Sequence, residues 1–294
     1  MTEKEKRRIM LRKLIIPDVH QKLNWKYALD HVDEFDSIVF VGDYFDHHGD
    51  ADVYGEDAIK NFEEIIAFKK QYPEKVHLGV GNHDIHYLIG FDKYSNYQRS
   101  IKEKIYNTFV DNIDYLEMII KVDDYYVSHA GVTKTWYEDK INCIKQWKKV
   151  DTSALLNNDS YTNINAWWNA YKNSFKKCAE HFKNGTNNTE EFDKIFNECC
   201  TISALFEFPR NCWDPYGNSI HCPPTWIRPD ALLDDALFEY QIVGHTGVES
   251  WFENIGSKPY CVMKNNNHVI FIDNLEHDNL LVLDSNKEIN WKEL

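Results

Sequence analysis

Five short segments carry the groups in this chain that can bind metals and move protons. They are Asp18-Val19-His20, Gly42-Asp43-Tyr44-Phe45-Asp46, Gly81-Asn82-His83-Asp84, Ser128-His129-Ala130-Gly131 and Gly244-His245-Thr246. Carboxylate, amide oxygen and imidazole are ligands for the divalent cations that polarise phosphoryl oxygen, where thiolates are not. Asp18 and His20 stand two apart, close enough at the end of a strand to reach one ion. Asp43 has two carboxylate oxygens and can bridge a pair of ions, the second being completed by Asn82, His129 and His245. Two ions roughly 3.5–4 Å apart hold a shared water, lower its pKa towards neutrality and clamp the phosphoryl oxygens. The resulting metal-bound hydroxide attacks phosphorus in line, and the departing alkoxide needs a proton. His83 is the natural donor, and Asp46, three residues after Asp43, is placed to pair with it and keep it protonated.

Taken singly these segments mean little, since an Asp after a strand usually caps a helix and a lone His is usually packed and hydrogen-bonded. Their setting changes the inference. Leu14-Ile15-Ile16, Ser37 to Val41, Lys75 to Leu78, Tyr125-Tyr126-Val127 and Tyr240 to Val243 are strand-like runs, and one precedes each segment. Open α/β sheets collect their chemistry at the carboxyl ends of their strands. Helices must lie between these strands. Ala58, Ile59, Phe62, Ile65 and Ile66 predict an amphipathic helix from about 55 to 72, ended by Pro73. Looser patterns suggest helix around Tyr27 to Val32 and from Tyr97 to Val110, followed by strands over Tyr115 to Val122 and Asp124 to Ser128.

Beyond Thr133 the pattern becomes helical. Ile164, Trp167, Trp168, Tyr171 and Phe175 form one aromatic face, expected to pack as core rather than to serve as a substrate platform. Gly185 reads as a C-terminal cap, and Thr189 with Glu190 and Glu191 as the start of another helix. An irregular stretch from Phe208 to Pro229 ends this region. The chain then returns to strands at Tyr260 to Lys264, His268 to Ile272 and Leu280 to Leu283, with Asn265-Asn266-Asn267 turning between the first two. The expectation is a single domain over 1–294 with a helical insertion at about 133–229.

The formal net charge is -14 over 294 residues, which works against duplex nucleic acid as a partner. The seven cysteines are odd in number and form no C-x-x-C pair, so reduced thiols are expected. The charged stretch Met1 to Lys13 lacks a signal-peptide core and no run reaches transmembrane length, which points to the cytoplasm and away from membranes.

The five segments resemble the motif set of the calcineurin-like metallophosphoesterase superfamily: D-x-H, G-D-x-x-D, G-N-H-[DE], a later histidine and a terminal G-H-x. Gly42 to Asp46, Ser128 to Gly131 and Gly244 to Thr246 are most similar to the phosphoprotein phosphatases and the symmetrical dinucleoside tetraphosphatases, and Phe271-Ile272-Asp273 resembles the strand that closes that pattern. The resemblance covers about Lys13 to Asp284 apart from the insertion. It implies an α/β fold, a central β-sandwich of mixed sheets flanked by helices, and two divalent metal ions, with Mn foremost and Fe or Zn as alternatives. The implied substrate is a phosphorylated protein or a small phosphorylated molecule.

The departures concern the phosphate clamp. Protein phosphatases of this family usually have Arg directly after the second Asp of G-D-x-x-D and directly before G-N-H, where this chain has His47 and Val80. Arg228, in Trp226-Ile227-Arg228-Pro229, is the leading replacement because guanidinium matches phosphate bidentately, with Asn82 and His47 as further phosphate contacts. Arg99 and Arg210 are weaker candidates. Gly247 stands where the nuclease branch has a second histidine, which with the acidic charge argues against a nuclease. Three readings remain: a phosphomonoesterase, a dinucleoside polyphosphate hydrolase, and a non-catalytic scaffold that has kept its metals.

Overall fold

The computed structural model describes residues 12–47, 49–89, 96–148, 150, 152–156, 159–207, 214, 216–252, 258–274, 279–284 and 289–293. Eleven strands are present among these: β1 (Arg12–Ile16), β2 (Ser37–Phe40), β3 (Val76–Gly79), β4 (Leu116–Glu117), β5 (Ile120–Val122), β6 (Tyr125–Ser128), β7 (Tyr240–Val243), β8 (Tyr260–Lys264), β9 (Asn267–Phe271), β10 (Asn279–Asp284) and β11 (Ile289–Glu293). They form two mixed sheets, ordered β11-β10-β1-β2-β3-β4 and β5-β6-β7-β9-β8. β1 to β4 run parallel, as do β6, β7 and β9, while β10, β11, β5 and β8 pair antiparallel.

Alternation along each strand decides which face meets which layer. Ile15, Val39 and Leu281 of the first sheet pack against Val127, Ile242 and Ile270 of the second. Their neighbours Leu14, Ile16, Ile38 and Phe40 face a helical layer on the outer side of the first sheet. Val243, Val269 and Phe271 face Leu232 and its surroundings on the outer side of the second. Near-continuous apolar strands such as Leu14-Ile15-Ile16 follow from this, since a sheet covered on both faces has no polar side.

Helices of seven residues or more are α1 (Glu56–Gln71), α2 (Asn82–Ile89), α3 (Lys102–Asn112), α4 (Lys134–Lys145), α5 (Ser160–Lys183), α6 (Glu190–Ser203) and α7 (Pro229–Asp235). The capping expected at Thr189 is present, its Oγ1 accepting from Phe192 N at 3.1 Å. Ile164, Trp167, Trp168 and Tyr171 of α5 are buried, as core packing requires. The turn at Asn265 and Asn266 has positive φ at both residues, 53° and 66°, the backbone of a tight hairpin.

Several elements differ from the sequence expectation. The segment after β1 is three short helical pieces, Asn24–Lys26, Tyr27–Asp30 and Val32–Glu34. The helix expected from Tyr97 starts at Lys102, and α2, which lies inside the Gly-Asn-His-Asp segment, had no pattern to announce it because nearly all of it is buried. The apolar run from Tyr115 to Val122 is divided: β4 belongs to one sheet and β5 to the other, with Met118 and Ile119 crossing between them. β11 was not foreseen. Part of the irregular stretch from Phe208 lies outside the described residues. No described helix is long and apolar enough to cross a membrane.

Candidate metal and proton-transfer site

The five segments follow β1, β2, β3, β6 and β7, and their side chains meet at the carboxyl ends of these strands. Leaving a strand sharply strains the backbone. His20, Asp43, Asp46 and His245 all have positive φ, at 42°, 53°, 60° and 65°, a region that non-glycine residues seldom occupy and that clusters at functional sites. Two glycines make the room. A Cβ on Gly81 would lie 2.0 Å from Asp43 Oδ1, and one on Gly244 would lie 2.0 Å from Asp18 Oδ1. The carboxylates therefore lie directly against backbone.

Both strand-end histidines are oriented through Nδ1. His20 Nδ1 lies 2.6 Å from the Asp46 carbonyl, and His129 Nδ1 lies 3.3 Å from the Val41 carbonyl. A carbonyl only accepts, so a neutral ring that donates there carries its proton on Nδ1 and turns its Nε2 lone pair into the site. His20 Nε2 then faces Asp18 Oδ2 at 3.8 Å and Asp43 Oδ2 at 3.7 Å. His129 Nε2 faces Asn82 Oδ1 at 2.8 Å and Asp43 Oδ2 at 3.2 Å. With the rings in that tautomer, lone pairs face lone pairs around Asp43 Oδ2, an arrangement that cations satisfy, while Asp43 Oδ1 accepts the His83 backbone N–H at 2.8 Å. Asp18 is held by the backbone N–H of His245, at 3.0 and 3.2 Å to its two oxygens. The His245 ring packs against His129, and its buried Nε2 has no hydrogen-bond partner among the described residues. This donor set fits two divalent ions, and Asp18, His20 and Asp43 converge as one compact ligand group.

The electrostatics are those of crowded anions. Burial, then Asp273 and Asp43, push Asp18 well above the usual carboxylate range. Burial and Asp43 do the same to Asp84, and burial with Asp43 raises Asp273 to about 7. Burial would raise Asp43 as well, but positive charge at the rings of His129, His83 and His20 holds it well below its ordinary value. Burial drives His245 strongly towards its neutral, ligating form, helped by Arg228 and His129.

His83 and Asp46 meet as the spacing predicts, Nδ1 to Oδ2 at 3.1 Å. Burial disfavours charge on His83, yet Asp43 and Asp46 outweigh it and raise its pKa. Burial also pushes Asp46 up, and hydrogen bonds from His83 and His86 more than offset this, leaving it ionised below its usual range.

Arg228 is half-buried beside the cluster. Its Nη1 donates to the His245 carbonyl at 3.1 Å and to Thr246 Oγ1 at 2.9 Å, and its Nε to the Tyr216 carbonyl at 3.2 Å. His47 is not joined to the others: its Nδ1 lies 3.1 Å from the Gly49 carbonyl and its ring meets Tyr54. Arg99 is exposed, and Arg210 lies outside the described residues.

Sequence reasoning assigned no task to Asp84, His86 or Tyr87. Asp84 accepts the backbone N–H groups of Gly81, Asp43 and Tyr44 at 2.8, 2.8 and 2.9 Å, tying the second and third segments together. His86 Nε2 lies 2.7 Å from Asp46 Oδ2, and the Tyr87 hydroxyl donates to Asp46 Oδ1. Only the i, i+3 and i+4 spacing from His83 on a helix carried a signal for the last two, since Asp46 faces that side of α2.

A family model described as calcineurin-like phosphoesterase matches residues 11–249, most of the chain. The chain belongs to the calcineurin-like phosphoesterase family. It is therefore a phosphoester hydrolase of a family that depends on a dinuclear metal centre, and its substrate is phosphorylated. The cold-active protein-tyrosine phosphatase of a psychrophilic Shewanella sp. has a similar structure, with TM-score 0.53 and 17% identity over 96% of this chain and 78% of that one. A point mutant of a cold-active protein tyrosine phosphatase gives TM-score 0.51 and 17% identity over 94% of this chain and 76% of the other. At that identity these neighbours speak for the calcineurin-like phosphoesterase fold alone.

Proposed function

We propose that this calcineurin-like phosphoesterase is a phosphomonoesterase, acting on a phosphorylated protein or a small phosphorylated molecule. In this reading Asp18, His20 and Asp43 hold one ion, and Asp43, Asn82, His129 and His245 the other, with Mn as the native pair and Fe or Zn as alternatives. Bound there, the ions supply Lewis-acid polarisation of the phosphoryl group and a water activated at neutral pH. His83 holds its transferable proton at Nε2, because its Nδ1–H is engaged by Asp46 Oδ2. Arg228 is anchored through Nε and Nη1, which leaves Nη2 to donate to a phosphoryl oxygen alongside the Asn82 amide. His47 stands further out and takes no part in that clamp.

The buried His83–Asp46 pair beside the ligand cluster carries the reading. A nucleotide leaving group departs as a weakly basic phosphate and gains little from an acid, whereas an alkoxide or phenoxide needs one. Trp167, Trp168 and Tyr171 are buried and so offer a dinucleoside polyphosphate no surface on which to stack a base. We extend the reading to architecture: one domain over 1–294, in which the helical segment at about 133–229 is an insertion between β6 and β7. The described cysteines are free thiols, which suits the reducing cytoplasm.

The test is Mn-supported phosphate release from an aryl phosphomonoester, the matching diester, phosphoserine and phosphotyrosine peptides, and diadenosine tetraphosphate. Monoester turnover abolished by Asp43→Asn is the expected result. Preference for the tetraphosphate, with monoesters at background, would establish the alternative. Metal-loaded protein that turns over none of them would leave two possibilities, a pocket that demands a specific substrate or a binding protein that has kept its metals.

A further inference from the structure

Asp46 is approached by more groups than a simple acid–carboxylate pair needs: His83 and Tyr87 are hydrogen-bonded to it, and His86 lies against it at ion-pair distance. Oδ2 faces His83 Nδ1 at 3.1 Å and His86 Nε2 at 2.7 Å, and Oδ1 accepts from the Tyr87 hydroxyl. All of these groups are buried. The direction of the Tyr87 bond is fixed, because the backbone N–H of Gln98 donates to the Tyr87 hydroxyl oxygen at 2.9 Å, leaving its proton for Asp46. The rings are held as well: Tyr87 stacks on Tyr97 at 4.6 Å, and His86 meets Tyr97 edge-on at 5.0 Å. Asp46 itself needs holding, since its φ is 60° in the sparsely populated left-handed region.

We infer that His86 and Tyr87 are positioning residues for proton transfer: together they fix the Asp46 carboxylate so that it orients His83 towards the leaving-group oxygen. The inference rests on His83 being the general acid, and it adds to that reading a buried support carried on a single turn of α2. Without the Tyr87 hydroxyl and the close His86 ring, Asp46 keeps the His83 contact alone among these side chains, and its carboxylate is free to turn about χ2. His83 then loses the fixed partner that selects its Nδ1–H tautomer and its ring angle. In the step itself a water oxygen bonds to phosphorus and gives up a proton to solvent while the ester P–O bond breaks; that bond's electron pair stays on the ester oxygen, which takes the Nε2 proton as His83 becomes neutral. A misaligned acid slows this step only where the departing oxygen is basic.

The experiment compares phenyl phosphate, whose leaving group needs the proton, with 2,4-dinitrophenyl phosphate, whose leaving group does not. Wild type, His83→Ala, His86→Ala, His86→Gln and Tyr87→Phe are assayed at saturating Mn, with bound metal measured in each. General-acid catalysis contributes about 10²–10⁴-fold, so His83→Ala should lose that much on phenyl phosphate and little on the dinitrophenyl ester. For His86→Ala and Tyr87→Phe we expect kcat on phenyl phosphate to fall by about tenfold, part of that range. KM, metal content and dinitrophenyl phosphate turnover should stay near wild type. The amide donor of His86→Gln should recover part of the loss. Equal losses on both esters, or none, in His86→Ala and Tyr87→Phe would overturn the inference while His83→Ala remained selective. If His83→Ala shows no selectivity, the acid assignment fails first and the support role falls with it. Tyr87→Phe removes a single oxygen, so it keeps the test open should His86→Ala fold poorly.

Discussion

At the scale of single residues, the site is built by permitting close approach as much as by placing ligands. Gly244 shows this most cleanly. A Cβ there would stand 2.0 Å from Asp18 Oδ1 and 3.0 Å from Val41 Cγ2. Its φ is not among the positive values, so alanine fits the backbone and Gly244→Ala isolates the contact with the carboxylate. Asp18 must swing away from the His245 amide that holds it. Misplaced ligands and reacting groups by about 1 Å can cost roughly 100-fold, and Gly244→Ala is expected to lose at least about that in kcat while weakening Mn binding. Titration of apo protein with Mn, beside steady-state kinetics, checks it; wild-type affinity with wild-type kcat would show that Asp18 needs no such room. The proposed ligands could be picked out in the sequence because each imidazole or carboxylate comes shortly after a strand, and the structure brings these side chains together. Asp84 was harder to read, since a carboxylate that ties backbone amides looks the same in sequence as one that binds a metal. Arg228 was singled out from its segment, and its hydrogen bond to the His245 carbonyl holds it beside the cluster, where its proposed role would need it.

At the scale of elements, α5 is the clearest case of pattern deciding placement. Its aromatic stripe lies against Phe206, Leu155 and the end of β4, with Trp168 Nε1 donating to the Leu116 carbonyl at 2.8 Å and Trp167 Nε1 to Leu155 at 2.7 Å. Lys172 Nζ reaches the same Leu116 carbonyl at 3.0 Å, so the helix is riveted to the sheet by polar tips on apolar bodies. Trp168→Ala removes a buried ring and a carbonyl's donor, and should cost about 3–5 kcal/mol. None of these contacts touches the ligand cluster, so kcat per folded molecule at low temperature should change less than about threefold, the rate effect of about 0.6 kcal/mol. Urea unfolding paired with kinetics measures both; a large kcat or KM change at full folding would restore the stripe as a substrate platform. Periodicity exposed α1, α5 and α6 because each has an exposed face to contrast with a buried one. It hid α2, where burial on nearly all sides erases the contrast, and it hid the break between β4 and β5, where Met118 and Ile119 are as buried as the strands they join.

At the scale of the whole molecule, the fold concentrates negative charge where it can least be solvated. Asp18, Asp43, Asp84 and Asp273 all lie deep within the joint carboxyl ends of the two sheets, and Asp18, Asp84 and Asp273 are each displaced upward by burial and by neighbouring carboxylates. Folding without metal therefore works against desolvation and like-charge repulsion together, and cations that bind only the folded chain must stabilise it strongly. An ion held at 100 times its dissociation constant contributes about 2.7 kcal/mol for one site, so saturating Mn is expected to raise the thermal midpoint by several degrees over EDTA-treated protein. The same argument gives an opposed pair of effects for one substitution. Asp18→Asn removes one of the crowded charges, so its metal-free form should melt higher than metal-free wild type, while its gain on adding Mn should shrink and its turnover collapse. Scanning calorimetry of both proteins, with and without Mn, reads all of this at once. If metal-free Asp18→Asn melts lower than metal-free wild type, the carboxylate is being held by its hydrogen bonds to the His245 amide more than it is repelled by its neighbours. The site would then be preformed by backbone rather than strained in wait for its ions.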